Sequence, residues 1–178
     1  MSSQDQPSPS CCRSVPSLGG IKAEDFSALD RVAVELICLD PDFAAPLRKI
    51  GERIGQRIAT EHQEKSLLIE AALCALIPAC GLQGVIESRF ERTNAEEGIL
   101  QITGCSAALG WQIPNLGRPV CTFDEGLFEG FLRGSTGEQN VTVDETACLG
   151  RGDASCEFRI HHRAISSDKW QGVADGDH

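Results

Sequence analysis

The sequence is short of several things, and each shortage removes a class of protein. No apolar run is long enough to span a bilayer. The opening MSSQDQPSPS has neither a basic end nor an apolar stretch, so a secretory leader is not expected. No phosphate-cradling glycine loop and no dinucleotide fingerprint occurs. Basic residues are scarce: 16 Lys and Arg stand against 26 Asp and Glu, a net charge of −10, which a nucleic-acid backbone would repel. Tyrosine is absent and tryptophan occurs twice. Trp111 therefore offers ring area and a donor as a candidate ligand contact, against the plainer reading of a packed loop anchor.

Cysteine, by contrast, is abundant. Nine in 178 residues would suit an oxidised scaffold if the chain were small and exported. An odd count, a chain long enough to bury its own core and no export signal favour reduced thiols in the cytoplasm.

The densest chemistry lies between Cys121 and Cys156. NVTVDETAC and CEFRIHH alternate in polarity on either side of LGRGDAS, a hairpin pattern with Gly150, Gly152 and Asp153 at the tip. The hairpin lets Cys148 and Cys156 face each other. Cys121 precedes TFDEGLFEGFLRG, a segment of helical character. Cys121, Glu145, Cys148 and Cys156 then form a candidate tetrahedral zinc set. Spacing alone leaves buried thiols or a disulfide open as alternatives, because paired closely spaced cysteines are missing.

The run Glu145-x-x-Cys148-x-x-x-Gly152-Asp153-x-x-Cys156-x-Phe158-x-Ile160 resembles the signature of the 4-vinyl-reductase domain family, named for a protein of bacteriochlorophyll synthesis. It is also similar to the sensor domains of phenol- and xylene-responsive transcription activators, and more distantly to subunits of the TRAPP vesicle-tethering complex. In the sensors three cysteines and a glutamate hold zinc beside a small apolar pocket. The resemblance implies the same ligand set here: Cys121, Glu145, Cys148 and Cys156. It also implies helices packed on one face of a twisted antiparallel sheet, and a homodimer.

Along the chain, residues 1–22 and 164–178 are polar and read as tails, with Cys11 and Cys12 in the first and Trp170 a possible anchor in the second. Residues 23–163 read as one domain. EDFSALDRVAVELICL has helical spacing. Asp40-Pro41 restarts a helix whose stripe is Phe43, Leu47, Ile50, Ile54 and Ile58, with Arg48, Glu52, Arg53 and Arg57 opposite. Gly51 and Gly55 permit close approach of another backbone, within the fold or across a dimer. SLLIEAALCALIPACGLQG is apolar nearly all round, so Cys74 and Cys80 are expected to be buried. VIESRFERT and GILQITGCS are strands, the first with no cleanly apolar face. His161 and His162 read as a solvated strand end. Helices followed by antiparallel strands give an α+β class.

Four protein ligands leave zinc no open position, so the expected metal role is a structural clamp. Asp144 and Glu145, adjacent on a strand, point to opposite faces and are not expected to act as paired acids. The leading functional expectation is a non-enzymatic binding module for a small apolar or tetrapyrrole-like ligand: a sensor, carrier or assembly factor, by resemblance in chlorophyll or photosystem assembly at a membrane-protein partner. An accessory role in vinyl reduction and a purely structural interaction role stand beside it.

Overall fold

The computed structural model describes residues 23–61, 69–80, 86–94, 96–105 and 110–162. Both tails, with Cys11, Cys12 and Trp170, lie outside the described residues.

Three helices come first: α1 (Ala23–Leu39), α2 (Ala44–Glu61) and α3 (Ile69–Ala79). A 3₁₀ turn, Pro41–Phe43, separates the first two. The Asp40 side chain accepts a hydrogen bond from the Asp42 N–H at 2.9 Å, with proline in the first turn, as the sequence predicts. Two strands follow, β1 (Glu87–Asn94) and β2 (Glu97–Thr103), then helix α4 (Thr122–Thr136). Strand β3 (Thr142–Ala147), a 3₁₀ turn at Leu149–Arg151 and strand β4 (Cys156–His161) close the fold. All strand pairs are antiparallel, in the order β1-β2-β4-β3. This is the α+β arrangement expected from the sequence.

The core lies between sheet and helices. Leu100 and Ile102 of β2, Val143 of β3, and Cys156, Phe158 and Ile160 of β4 point into it. Phe123, Leu127, Phe128 and Phe131 of α4 meet them from the other side, with the Phe128 and Phe158 rings edge to face at 4.9 Å. β1 is an edge strand with only Phe90 partly buried, which is why neither of its faces reads as apolar. The Phe90 ring covers Gly98 on the neighbouring strand, where any β-carbon would collide with it.

Helices α2 and α4 approach so closely that only glycine fits. A β-carbon on Gly51 would lie 2.1 Å from the Phe123 carbonyl oxygen, and one on Gly55 2.1 Å from that of Leu127. The partners are glycines too: Gly126 faces the Arg48 carbonyl and Gly130 that of Glu52. Two spacings of four residues interlock, so the close approach expected at Gly51 and Gly55 is made within the chain.

Four expectations need correction. The buried face of α2 is Leu47, Gly51, Gly55, Ile58 and Ala59, while Phe43 and Ile50 are 40% and 46% exposed. Because the glycines occupy the seam, the buried stripe is rotated away from those two large residues. Arg48 is not on a solvated face but reaches acids on α4. Cys74 is exposed, because α3 packs on α4 with one side only and leaves its Ala71–Cys74 side outward; Cys80 is buried as expected. His162 is buried, its backbone N–H donating to the Glu96 carbonyl at 2.8 Å, which folds the strand end back onto the β1–β2 turn.

Candidate metal centre

Strand periodicity alone would not bring Glu145 and Cys148 together. Residues three apart on a regular strand point to opposite faces. The β3–β4 register slips between Glu145 and Ala147: Glu145 pairs with Phe158, yet Ala147 pairs with Glu157. That bulge inserts one residue and changes the parity. Glu145 and Cys148 therefore both turn inward, toward Cys156.

The turn beyond is held by its own motif. Gly152 has φ 96, a left-handed conformation natural to glycine. The Asp153 carboxylate accepts from the Cys148 N–H and from the Arg151 Nε, each at 2.8 Å, while the Asp153 N–H donates to the Cys148 carbonyl. Gly150 accepts a 2.7 Å bond from the Leu116 N–H and lies against Val120. This contact docks the segment carrying Cys121 beside the hairpin. Cys121 itself stands at the N-terminus of α4, where the helix dipole favours a thiolate.

The four candidate ligands converge. Their donor atoms all lie within 4.8 Å of one another. Cys121 Sγ is 3.9 Å from Cys148 Sγ and 3.7 Å from Cys156 Sγ; a tetrahedron with zinc–sulfur bonds of ~2.3 Å has edges of about 3.8 Å. One Glu145 oxygen accepts from the Cys121 N–H at 3.2 Å, and the other, Oε1, is buried with no hydrogen-bond partner among the described residues. The Val120 N–H donates to Cys148 Sγ at 3.3 Å, the contact a thiolate ligand accepts. The residues fit a zinc ion in donor type, number and spacing.

Protonation points the same way. Hydrogen bonding to Cys148 and Cys156, then burial, hold the Cys121 thiol well above its ordinary range. Burial, then the charge of Cys148, pushes Glu145 up to about 9. Four acids so close cannot all ionise without a counter-cation.

A second acidic region borders the first. A cavity of about 30 Å³ lies between α1, α3, α4 and the sheet, and Cys121 forms part of its wall. Asp30 and Asp124 also line it. Trp111 does not: its ring lies under the Arg31 guanidinium at 5.7 Å, and its indole N–H has no partner among the described residues. Asp30 and Asp124 are the residues sequence reading missed. The signal for Asp30 was present, since it is the polar member of the stripe Phe26, Asp30, Val34, Ile37 on a helix otherwise buried along that line.

Comparison with known proteins agrees with this architecture. The family model of the 4-vinyl-reductase domain matches residues 99–162, the segment that holds all four candidate ligands. The chain is thus similar to that family where its site is built. Two curated relatives come from Methanocaldococcus jannaschii. The uncharacterized protein MJ0150 is 27% identical over 76% of this chain and 74% of its own length. The uncharacterized protein MJ1642 is 26% identical over 40% and 43%. Among solved structures, the phenol-responsive sensory domain of the transcription activator PoxR, crystallised with phenol, superposes with a TM-score of 0.52 at 17% identity, covering 80% of this chain and 77% of that one. A trafficking protein particle complex subunit 3 from Naegleria fowleri, covalently bound to palmitic acid, gives 0.58 at 15% identity, covering 80% and 97%. These structures share the fold.

Proposed function

We propose that this chain is a zinc-stabilised module that binds a small apolar molecule. The observation that carries the metal half is the sulfur spacing at Cys121, Cys148 and Cys156, together with the unpartnered oxygen of Glu145. Zinc held by these four has no vacant position, so it clamps the start of α4 to the β3–β4 hairpin and does not activate water. The same closure argues against a direct role in vinyl reduction.

The ligand half is supported by the internal cavity and by the fold shared with a phenol-responsive domain. At about 30 Å³ the closed cavity has room for one or two waters. A ligand must part its walls, and a compact molecule does so more readily than a tetrapyrrole. Sensor, carrier and assembly-factor roles, including one in chlorophyll-related assembly, share this step. A fatty-acyl group on Cys80, by analogy with the palmitate-bound neighbour, is disfavoured. Burial pushes that thiol far up and leaves little thiolate to attack. Val32, Leu39, Phe43 and Ile50 stay exposed on α1, its following turn and α2, which supports a homodimer face.

Native mass spectrometry of reduced, purified protein with metal analysis tests the proposal. The expected result is one zinc per chain and dimeric mass. A metal-free protein whose melting is unmoved by added zinc would overturn the metal half. Failure of every small aromatic or aliphatic probe to bind would overturn the ligand half.

A further inference from the structure

The cavity beside the cysteine cluster has walls of one kind and polar groups of one sign. Phe26, Leu76, Ile102, Phe128 and Phe158 supply apolar and aromatic surface. Into this surface α1 brings Asp30 and α4 brings Asp124. No lysine, arginine or histidine is among the described residues that line it. Asp30 Oδ1 is buried and finds no hydrogen-bond partner among the described residues. The Asp30 residue as a whole is partly exposed, yet that oxygen is not, so the acid turns its carboxyl inward.

A buried carboxylate without a partner is costly. Elsewhere this chain meets the cost with arginine: Glu125 and Glu129 are both bonded by Arg48. Around Asp30 the described residues supply nothing comparable. An organic cation would supply both missing elements, with ammonium hydrogens for the carboxylate and hydrocarbon for the walls. The phenylalanine rings add a favourable surface for a cation. A neutral alcohol or phenol gives one donor and leaves the charge uncompensated.

Resting on the proposed pocket, we infer that its ligand is an apolar molecule carrying a primary amine, held as an ammonium by Asp30 with Asp124 beside it. The pair gives the pocket a chemical choice that its apolar walls alone do not make: amine over the isosteric alcohol.

Calorimetric titration of the zinc-loaded protein with benzylamine and with benzyl alcohol, at neutral pH and moderate salt, tests this. Benzylamine is expected to bind once per chain and about tenfold or more tighter than the alcohol, the scale of a charge-assisted hydrogen bond. Asp30→Asn should bring the two within about twofold while leaving benzyl alcohol binding in place. Equal or tighter binding of the alcohol to the unaltered protein overturns the amine assignment and leaves the pocket intact. Amine preference that survives Asp30→Asn overturns the assignment to Asp30. Binding of neither probe overturns the amine assignment and the pocket together. The comparison of the two probes on the unaltered protein decides the matter even if the variant folds poorly.

Discussion

Helix α4 carries two buried polar regions, and they are solved in opposite ways. Along the side facing α2 and β3, each buried acid has a base. Glu125 accepts from Arg48 at 2.6 Å and from the Glu145 N–H at 2.6 Å. Glu129 accepts from Arg48 at 2.9 Å and forms an ion pair with Arg133 at 2.7 Å. Arg48 and Arg133 in turn donate to the Val143 and Val141 carbonyls. These side chains cover the open edge of β3, doing for its backbone what another strand would do. At the N-terminal end of the same helix, Cys121, Glu145, Cys148, Cys156, Asp124 and Asp30 gather without a basic side chain among the described residues that form the two sites. The matched region is complete as a structure. The unmatched region is complete only with cations from outside, a metal in one part and a charged ligand in the other.

The sharpest way to break that contrast is to remove a metal ligand. Cys148→Ser leaves three donors and an unclamped hairpin. The expected outcome is loss of stoichiometric zinc and a stability loss above about 4 kcal/mol, the range reserved for losses such as a structural metal. Chelator added to the unaltered protein should lower its melting temperature in the same direction. Zinc content and thermal melting, measured together, check both; a variant that keeps zinc and melts normally would mean the cluster is only packed thiols.

Next comes the matched side. Arg48→Met removes a guanidinium that satisfies two buried acids and a strand carbonyl. Breaking a fully buried pair costs about 3–5 kcal/mol, whereas exposed pairs are worth roughly 0–1. The Arg48 side chain is 33% exposed, so the expected cost is about 2 kcal/mol, between those limits, with zinc retained. Chemical denaturation gives the first number and metal analysis the second. Gly51→Ala should cost a comparable or slightly smaller amount, about 1–3 kcal/mol. Its new methyl meets the Phe123 carbonyl, which α4 cannot easily withdraw. Gly137→Ala is a useful contrast, since only its φ of 75 resists substitution and no described atom lies in the way.

Much of the metal region was legible in the sequence, and the reason is local. Gly152 and Asp153 build the turn from within, so Cys148 and Cys156 are brought together by residues written between them. The link from Cys121 to the hairpin and the inward turn of Glu145 were not legible from spacing. The first depends on Leu116 meeting Gly150, and the second on a bulge that only strand pairing reveals. Resemblance supplied what periodicity could not. The matched region was read wrongly at Arg48, because its partners lie 77 and 81 residues away. A helical wheel sees an arginine opposite an apolar stripe and assigns it to water. Gly51 and Gly55 announced a close approach, yet the partner helix became visible only once Gly126 and Gly130 stood across from them.

The smallest expected effect concerns Asp30 and has an unusual sign. Burial raises its carboxyl from 3.8 to about 7. Asp124 and Cys80 face it from α4 and α3, and both are acids. The folded chain therefore holds the Asp30 proton more tightly than the unfolded chain. Stability from this group is fully present below pH ~4 and is lost as pH rises to about 7, the reverse of a salt-bridged aspartate. Asp30→Asn keeps the shape and removes the titration. The variant should melt as the unaltered protein does near pH ~4 and a few degrees higher near pH ~8, where one kcal/mol corresponds to roughly 2–4 °C for a chain of this size. Melting curves across that range, with zinc held saturating, read the difference directly. A variant less stable at the alkaline end would mean that the Asp30 carboxylate already has its cation inside the fold, and the contrast between the two ends of α4 would be lost.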